Sequence, residues 1–132
     1  MKCLVTGGAG FIGSHVVDRL LEESHSVVAI DNLTLNDSKH TLLHKDNPLF
    51  KFYDQSITDT LDTLFQKEQF DWVFHLAALP RVQFSIKEPE KTHHSNVNGT
   101  LNILLASHKA KVKRLIFTSS SSIYGDQPTL PF

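Results

Sequence analysis

The sequence predicts an α/β protein built on a doubly wound parallel sheet with the strand order 3-2-1-4-5. Two observations lead to this prediction. Short apolar runs of strand length alternate with segments whose apolar residues recur at helical spacing. The runs are also continuously apolar, which is typical of strands buried on both faces and joined in parallel by right-handed helical crossovers. Five such runs with helices between them give a β-α-β-α-β-α-β-α-β series. A chain of this pattern usually folds into a sheet with this strand order.

The first half of the chain supplies three of the five predicted strands. They lie at Lys2–Thr6, residues 26–30 and residues 50–53. Between the first two, residues 11–23 place Ile12, Val16 and Leu20 on one line and charged residues opposite, which predicts a helix with one wet face. Residues 32–47 are polar and predict a loop with a poorly defined helix.

The rest of the chain supplies two more strands and two helices. Helices are predicted for residues 58–67 and 92–108, and strands for residues 71–75 and 115–117. Pro80 breaks the pattern, so residues 80–89 are predicted to be a loop. The second helix has one apolar face, made by Val97, Leu101, Leu104 and Leu105.

Composition excludes several classes of protein. A chain of 132 residues allows one domain with a real core, and a net charge of −1 argues against a nucleic-acid binder. The single cysteine, Cys3, cannot form an internal disulfide, which favours a reducing compartment. The N-terminus carries no secretory segment, and no apolar run approaches a membrane span, so we expect a cytoplasmic protein. The eight histidines come without a matching set of cysteines or carboxylates, so we expect no metal site.

The strongest motif is the glycine loop Thr-Gly-Gly-Ala-Gly-Phe-Ile-Gly at residues 6–13, between the first strand and the first helix. It contains G-x-G-x-x-G at Gly8, Gly10 and Gly13, and G-x-x-G-x-x-G if Gly7 is counted first. The first glycine permits a tight turn, Gly10 lets the backbone approach a pyrophosphate, and Gly13 lets the helix pack closely. The helix N-terminus adds partial positive charge for the phosphates.

Asp31 supports a dinucleotide site. It ends the second strand, 18 residues beyond Gly13, where a carboxylate accepts hydrogen bonds from the adenosine ribose and repels a 2′-phosphate. This favours NAD over NADP, although Lys39 is close enough in sequence to reach a phosphate. The alternative is a compact strand-to-helix turn in which Asp31 caps a loop.

With these residues placed, the chain resembles the N-terminal part of an extended short-chain dehydrogenase/reductase, a family that includes NAD-dependent nucleotide-sugar epimerases and dehydratases. The resemblance covers essentially all 132 residues and implies that residues 1–132 form a partial NAD-binding Rossmann domain. Five ordered matches carry it: residues 6–13, Asp31-Asn32-Leu33, His75-Leu76-Ala77-Ala78, Asn96-Val97-Asn98-Gly99-Thr100, and residues 119–125.

The resemblance implies the cofactor contacts and one catalytic residue. Ser120 matches the serine or threonine that hydrogen-bonds the reacting sugar oxygen, with Ser119 or Ser121 as alternatives if the register differs by one. Residues 81–85 resemble a stretch near the substrate and the nicotinamide. The implied cofactor-binding residues are Gly7, Gly10, Phe11, Ile12, Gly13, Asp31, Asn32, Ser56, Ile57, Leu76, Ala77, Ala78 and Asn96.

One of these matches departs from the family pattern, and the roles of Asn96 and of the neighbouring His75 have alternative interpretations. Ser56-Ile57 stands where the family usually has Asp-Ile, so the adenine contact is weaker. Asn96 matches an asparagine that steadies the long helix, or is an ordinary polar residue at a helix N-terminus. Next to the cofactor contacts, His75 is interpreted as a strand-end histidine satisfied by its neighbours rather than as a catalytic group.

The family's Tyr-x-x-x-Lys motif, whose tyrosine is the general base, has no match here. Ile57 follows Tyr53 at the lysine position, and Pro128 follows Tyr124. We therefore expect a chain truncated after the fifth strand, without the sixth strand, the Tyr-Lys helix and the substrate domain. The resemblance implies a nucleotide-sugar epimerase, acting through a 4-keto sugar in the complete protein and inactive as this chain. The alternative is a catalytically silent NAD-binding module.

The resemblance also implies a partner of the same kind. The family dimerises through the long helix, so we expect a homodimer and expect Val97, Leu101 and Leu105 to be partly uncovered. The expected small-molecule partner is a nucleotide sugar, and neither a nucleic acid nor a membrane is expected.

Overall fold

The sheet of this protein has five parallel strands. The computed structural model describes residues 1–35 and 43–125, and its strands are β1 Lys2–Thr6, β2 Ser26–Asp31, β3 Phe50–Asp54, β4 Trp72–His75 and β5 Arg114–Phe117. Their order in the sheet, β3-β2-β1-β4-β5, confirms the predicted doubly wound topology. Chain order reverses at β1, which lies between β2 and β4, and ligands in such sheets bind outside the carboxyl ends of the strands at this reversal.

Helices connect these strands. Their bounds are α1 Phe11–Glu22, α2 Asp62–Glu68, α3 Val82–Lys87, α4 Pro89–His93, the π-helical segment His94–Gly99, and α5 Thr100–Lys109. The last three follow one another without a break and form one long, irregular helix. A 3₁₀ turn, Ser121–Tyr124, follows β5.

Apolar residues cover both faces of the sheet, which explains the continuous apolar runs. On one face, Val17 and Leu20 of α1 pack against Cys3, Val5 and neighbouring β2 residues. The buried Cys3 is thus a core residue. The other face carries the second core, made by Leu4, Val28, Ile30, Val73, Ile57, Leu61, Leu64, Phe65, Phe70, Ile103 and Ala106.

The predicted loop at residues 80–89 is wrong in part, because α3 lies within it. No residue of α3 is buried, so the segment lacks the one-sided apolar pattern from which a helix is predicted. The long helix also begins earlier than residue 92, since Pro89 occupies its first position, where its missing N–H is not needed.

The predicted start of the helix at residue 58 is wrong as well, since α2 begins at Asp62. The side chain of Asp59 accepts the Ser56 N–H (2.8 Å), and the Ser56 hydroxyl accepts the Thr58 N–H (3.2 Å). These local bonds give the backbone an alternative to a helix.

Of the polar segment at residues 32–47, the described parts, residues 32–35 and 43–47, are turn and coil, and the predicted helix lies outside them.

The apolar face of the long helix is largely exposed, as expected. Exposure ranges from 46% to 60% at Val97, Leu101, Leu104 and Leu105. The helix instead buries Gly99, Ile103, Ala106 and Ser107, of which Ile103 and Ala106 belong to the second core. Among the described residues, no helix is long and apolar enough to cross a membrane.

A buried carboxylate fastens α2 to the amino-terminal half of the sheet. The Glu68 side chain is 1% exposed and pairs with Lys2 Nζ (2.5 Å) and Lys51 Nζ (3.1 Å). Tyr53 also donates its hydroxyl to Glu68 Oε1 (2.7 Å). Burial alone would raise the pKa of Glu68, but the hydrogen bonds from Lys2, Tyr53 and Lys51 outweigh it and lower the pKa to about 2.

Candidate functional site

An open cleft of about 840 Å³ runs along the carboxyl-terminal edge of the sheet. Its walls come from the segments that follow all five strands, and its size is within the usual range for ligand sites. Every site residue predicted from the sequence lines it: Gly7, Gly10, Phe11, Ile12, Gly13, Asp31, Asn32, Ser56, Ile57, Leu76, Ala77, Ala78, Asn96 and Ser120.

The glycine loop makes the tight turn with Gly7. This residue has a φ of +70°, and a Cβ there would lie 2.9 Å from the backbone nitrogen of Ala77. Gly8 instead packs on β2, where its Cβ would meet Ala29 Cβ at 2.6 Å. A Cβ on Gly13 would lie 2.0 Å from the carbonyl oxygen of Gly7, so Gly13 lets α1 pack against the turn. The register that begins at Gly7 therefore makes the turn.

The N-terminus of α1 faces this cleft and is suited to an anion. The first helical hydrogen bond runs from the Ser14 N–H to the Gly10 carbonyl (2.9 Å). The N–H groups of Phe11, Ile12 and Gly13 precede it, and the helix dipole adds partial positive charge there. Gly10 is extended (φ −73°, ψ 168°), a conformation open to any residue, so its backbone angles do not require a glycine.

Asp31 is buried where β2 meets the glycine loop. Its Oδ2 accepts the N–H of Ala9 (3.1 Å) and its Oδ1 accepts the N–H of Leu33 (2.9 Å). Each carboxylate oxygen has a further lone pair, so both can also accept a hydroxyl from a ligand in the cleft. Asp31 can therefore cap the loop and still accept hydrogen bonds from a ligand in the cleft. Lys39 lies outside the described residues.

The segment after β4 is held in place by hydrogen bonds to the side chains of Thr6 and Asn96. The Thr6 hydroxyl accepts the N–H groups of Leu76 and Ala77, both at 3.1 Å. Asn96 then binds both backbone groups of Leu79, accepting its N–H (2.8 Å) and donating to its carbonyl oxygen (3.1 Å). Since Asn96 lies inside the π-helical segment, its interpretation as a helix N-terminal residue is wrong.

His75 is buried beneath this segment and satisfied on both sides. Its Nδ1 lies 2.7 Å from Thr6 Oγ1, and its Nε2 lies 2.9 Å from Thr100 Oγ1. Burial lowers the pKa of His75 to about 4, so the ring is neutral at pH 7. The geometry agrees with the interpretation of His75 as a satisfied strand-end histidine.

Ser119 and Ser120 both line the cleft beyond β5. The Ser120 hydroxyl oxygen accepts the N–H of Ser122 (3.1 Å) at the start of the 3₁₀ turn, and within the described part of the chain no acceptor takes the hydroxyl's own proton. At the opposite end, the Ser56 hydroxyl is shared with Thr58 (2.8 Å), while Ile57 is 5% exposed and belongs mainly to the core.

Residues 3–132 match the model of the NAD dependent epimerase/dehydratase family. The chain belongs to this family. Its glycine loop, its acidic residue at the end of β2 and its serines after β5 are therefore those of an epimerase/dehydratase-family protein.

Named relatives narrow the comparison. The chain is 40% identical to a UDP-glucose 4-epimerase of Yersinia pestis over 138 aligned positions, which cover 100% of this chain and 40% of that protein. A Thermotoga maritima UDP-glucose 4-epimerase solved with UDP-glucose superposes with a TM-score of 0.89 at 40% identity, over 98% of this chain and 41% of the other. The Stenotrophomonas maltophila enzyme, solved with NAD and formylated UDP-arabinopyranose, gives 0.91 at 36% identity, over 100% and 40%. The chain thus spans about two fifths of these relatives' length.

Sequence reasoning missed the polar residues that support the site in this epimerase/dehydratase-family chain. In the sequence, Thr6 stands out only as the start of the glycine motif, and Thr100 only as the end of the segment Asn96-Val97-Asn98-Gly99-Thr100. Strand periodicity contained one signal, because Thr6 shares the face of Leu4 and so had to be a buried polar residue with partners. Within residues 1–35 and 43–125, no three histidine, cysteine or acidic residues cluster as metal ligands.

Proposed function

We propose that this chain forms the NAD-binding part of a UDP-hexose 4-epimerase, with residues 1–132 as a partial dinucleotide-binding domain. The observation that carries the proposal is the cleft itself, in which the glycine turn, the N-terminus of α1, Asp31 and Ser120 all line one cavity. The names of the relatives supply the substrate class, a uridine diphosphate sugar.

The residues present fit a dinucleotide along the whole cleft. The N–H groups of Phe11, Ile12 and Gly13 would bind the diphosphate, and Asp31 would accept hydrogen bonds from the adenosine ribose. The small side chains of Ala77 and Ala78 leave room beside the sheet for the rest of the cofactor. When bound, NAD supplies a hydride acceptor and donor for C4 of the sugar.

Ser120 is the chain's own contribution to the reacting centre. Its hydroxyl would donate to the oxygen on C4 and hold it in place while the carbon is oxidised to a 4-keto sugar and reduced on the other face. A general base must accept the hydroxyl proton during oxidation and return it during reduction. Neither tyrosine of these 132 residues has a lysine four positions later, so we propose that the chain alone does not supply this base.

Calorimetric titration with NAD⁺ and NADP⁺ tests the binding proposal. We expect NAD⁺ to bind and NADP⁺ to bind more weakly, because Asp31 would face the extra phosphate. The matched variant Asp31→Asn keeps an oxygen that can accept a hydrogen bond and removes the charge, so it should narrow the difference between the two cofactors. Absence of binding to either cofactor would overturn the proposal.

A turnover assay tests the remaining claim. Incubation of the chain with NAD⁺ and UDP-glucose should give no UDP-galactose above background, whereas a polypeptide that continues through the family's Tyr-x-x-x-Lys motif should form it. Conversion by the 132 residues alone would contradict our assignment of the base. NAD⁺ binding without turnover by that longer polypeptide would favour a silent binding module.

The quaternary structure and the compartment are also proposals. The exposed apolar face of the long helix supports a homodimer, in line with the resemblance to dimeric family members. A cytoplasmic location is proposed from the single cysteine among these 132 residues, which favours a reducing compartment.

A further inference from the structure

Thr6 and His75 lie together beneath the two loops that form the middle of the cleft. They are register partners at the ends of β1 and β4. Thr6 directly precedes the glycine turn, and His75 directly precedes the Leu76–Leu79 segment. Both side chains are buried, with exposed fractions of 0% and 1%. A single side-chain pair therefore connects two walls of the site.

The hydrogen bonds assign the tautomer of His75. Thr6 Oγ1 already accepts two backbone N–H groups, so its only proton must go to His75 Nδ1. Thr100 Oγ1 donates to the Asn96 carbonyl oxygen (2.6 Å), so it must accept the proton of His75 Nε2. The ring is thus the neutral Nε2–H form. A proton on Nδ1 would point at an oxygen whose lone pairs are already occupied.

These bonds form a continuous chain from the β1 end to the long helix. Through Thr6 they hold the N–H groups of Leu76 and Ala77. Through Thr100 they reach Asn96, whose side chain holds both backbone groups of Leu79. The β5 end joins at the same point, because the Thr118 N–H donates to the His75 carbonyl oxygen (3.2 Å) and the Phe117 ring lies 5.6 Å from the imidazole.

We propose that His75, in its neutral Nε2–H form, is a positioning residue that holds the Leu76–Leu79 segment in the shape required for dinucleotide binding. This rests on the proposed function, since it assumes that the cleft binds NAD. There is little free space between this segment and the glycine turn, because a Cβ added to Gly7 would lie only 2.9 Å from the backbone nitrogen of Ala77. Movement of Ala77 toward the glycine turn would therefore narrow the cleft.

Two substitutions of His75 test the roles of its two ring nitrogens separately. His75→Asn places an amide oxygen near the position of Nδ1 and can still accept from Thr6. His75→Gln reaches the position of Nε2 and can still donate to Thr100, but it gives up the Thr6 acceptor. Thr6→Val removes the same bond from the other side, together with the hydroxyl that accepts the N–H groups of Leu76 and Ala77. Val73→Ala is the matched control, because Val73 lies on β4 on the same sheet face, is 0% exposed and does not line the cleft.

The test is the NAD⁺ affinity of each variant, measured by calorimetry at a temperature at which every variant is fully folded. The melting temperature of each variant is measured as well. We expect His75→Gln and Thr6→Val to lose about tenfold or more in affinity, and His75→Asn to lose less. Val73→Ala should lose stability but bind within about twofold of the unchanged chain. If His75→Gln binds NAD⁺ as tightly as Val73→Ala does, the positioning role is overturned.

A second readout does not depend on the cofactor. Amide hydrogen exchange in the free chain should accelerate at Leu76 and Ala77 in His75→Gln and not in Val73→Ala, and imidazole ¹⁵N shifts of the unchanged chain should report the Nε2–H tautomer. If the unchanged chain fails to bind NAD⁺, the proposed function fails. The exchange rates then still decide whether His75 holds the segment. Equal exchange rates in the two variants, or the Nδ1–H tautomer, would overturn the inference.

Discussion

At the scale of single residues, the glycines of the turn act for different physical reasons. Gly7 has the left-handed backbone of the turn, and Gly13 provides the close approach of α1 to it. Gly10 is extended, so the reason for a glycine there lies with the ligand rather than with the backbone conformation. Spacing alone identifies the motif, but the roles of its glycines become distinct only in the folded structure, because the motif contains two overlapping registers.

We therefore predict opposite effects for two alanine substitutions. Gly10→Ala should lower NAD⁺ affinity by about tenfold or more and leave the melting temperature nearly unchanged, because the new methyl group meets the diphosphate. Gly13→Ala should lower the melting temperature, because its Cβ would lie 2.0 Å from the Gly7 carbonyl oxygen. Calorimetric titration and thermal unfolding of both variants test this. A Gly10→Ala chain that binds normally would contradict the role assigned to the α1 N-terminus.

Glu68 is the residue whose ionisation should matter most for acid stability. Its pKa is about 2 in the folded chain and near 4.5 when unfolded, so its contribution is complete above pH 4.5 and is lost as the pH falls toward 2. Glu68→Gln should therefore cost about 2 to 3 kcal/mol at pH 7 and flatten stability between pH 4.5 and 2. Urea unfolding across this range is the measurement. Glu22→Gln, at an exposed ion pair with Arg19, is the control and should change little.

At the scale of elements, the sequence was most informative where an element buries one side. The strands and α1 were predictable because their apolar residues follow the period of the structure that they adopt. The helix α3 was not predictable in this way, because it buries no residue. The start of α2 depends on hydrogen bonds of Ser56 and Asp59 that compete locally with a helix. The hydrogen-bonded chain through His75 joins residues 69 positions apart, which no local pattern reveals.

The turn before α2 is fastened to the long helix by one amide. The Asn102 side chain donates to the carbonyl oxygens of Ile57 and Asp59, both at 2.7 Å. We predict that Asn102→Asp costs about 1 to 3 kcal/mol at pH 7, because it places a carboxylate against two acceptors. Chemical unfolding measures the loss, and Asn98→Asp on the exposed side of the same helix is the control. Equal losses in the two variants would show that the Asn102 contacts do not stabilise this turn.

At the scale of the whole molecule, the long helix exposes four apolar side chains on one face, those of Val97, Leu101, Leu104 and Leu105, each by 46% to 60%. We predict that the chain self-associates through this face. Leu101→Glu with Leu105→Glu should abolish the association without unfolding the chain, because both side chains are more than half exposed. Light scattering across a concentration series is the measurement. A strictly monomeric mass at high concentration would contradict the prediction.

The central claim is that a dinucleotide lies along the carboxyl edge of the sheet with its diphosphate at the N-terminus of α1. Backbone amide chemical shifts, recorded as NAD⁺ is added to the ¹⁵N-labelled chain, test it most directly. We predict the largest changes at Phe11, Ile12 and Gly13, with further changes at Asn32 and at residues 76–78. Changes confined to residues outside the cleft, or none at saturating NAD⁺, would contradict the account.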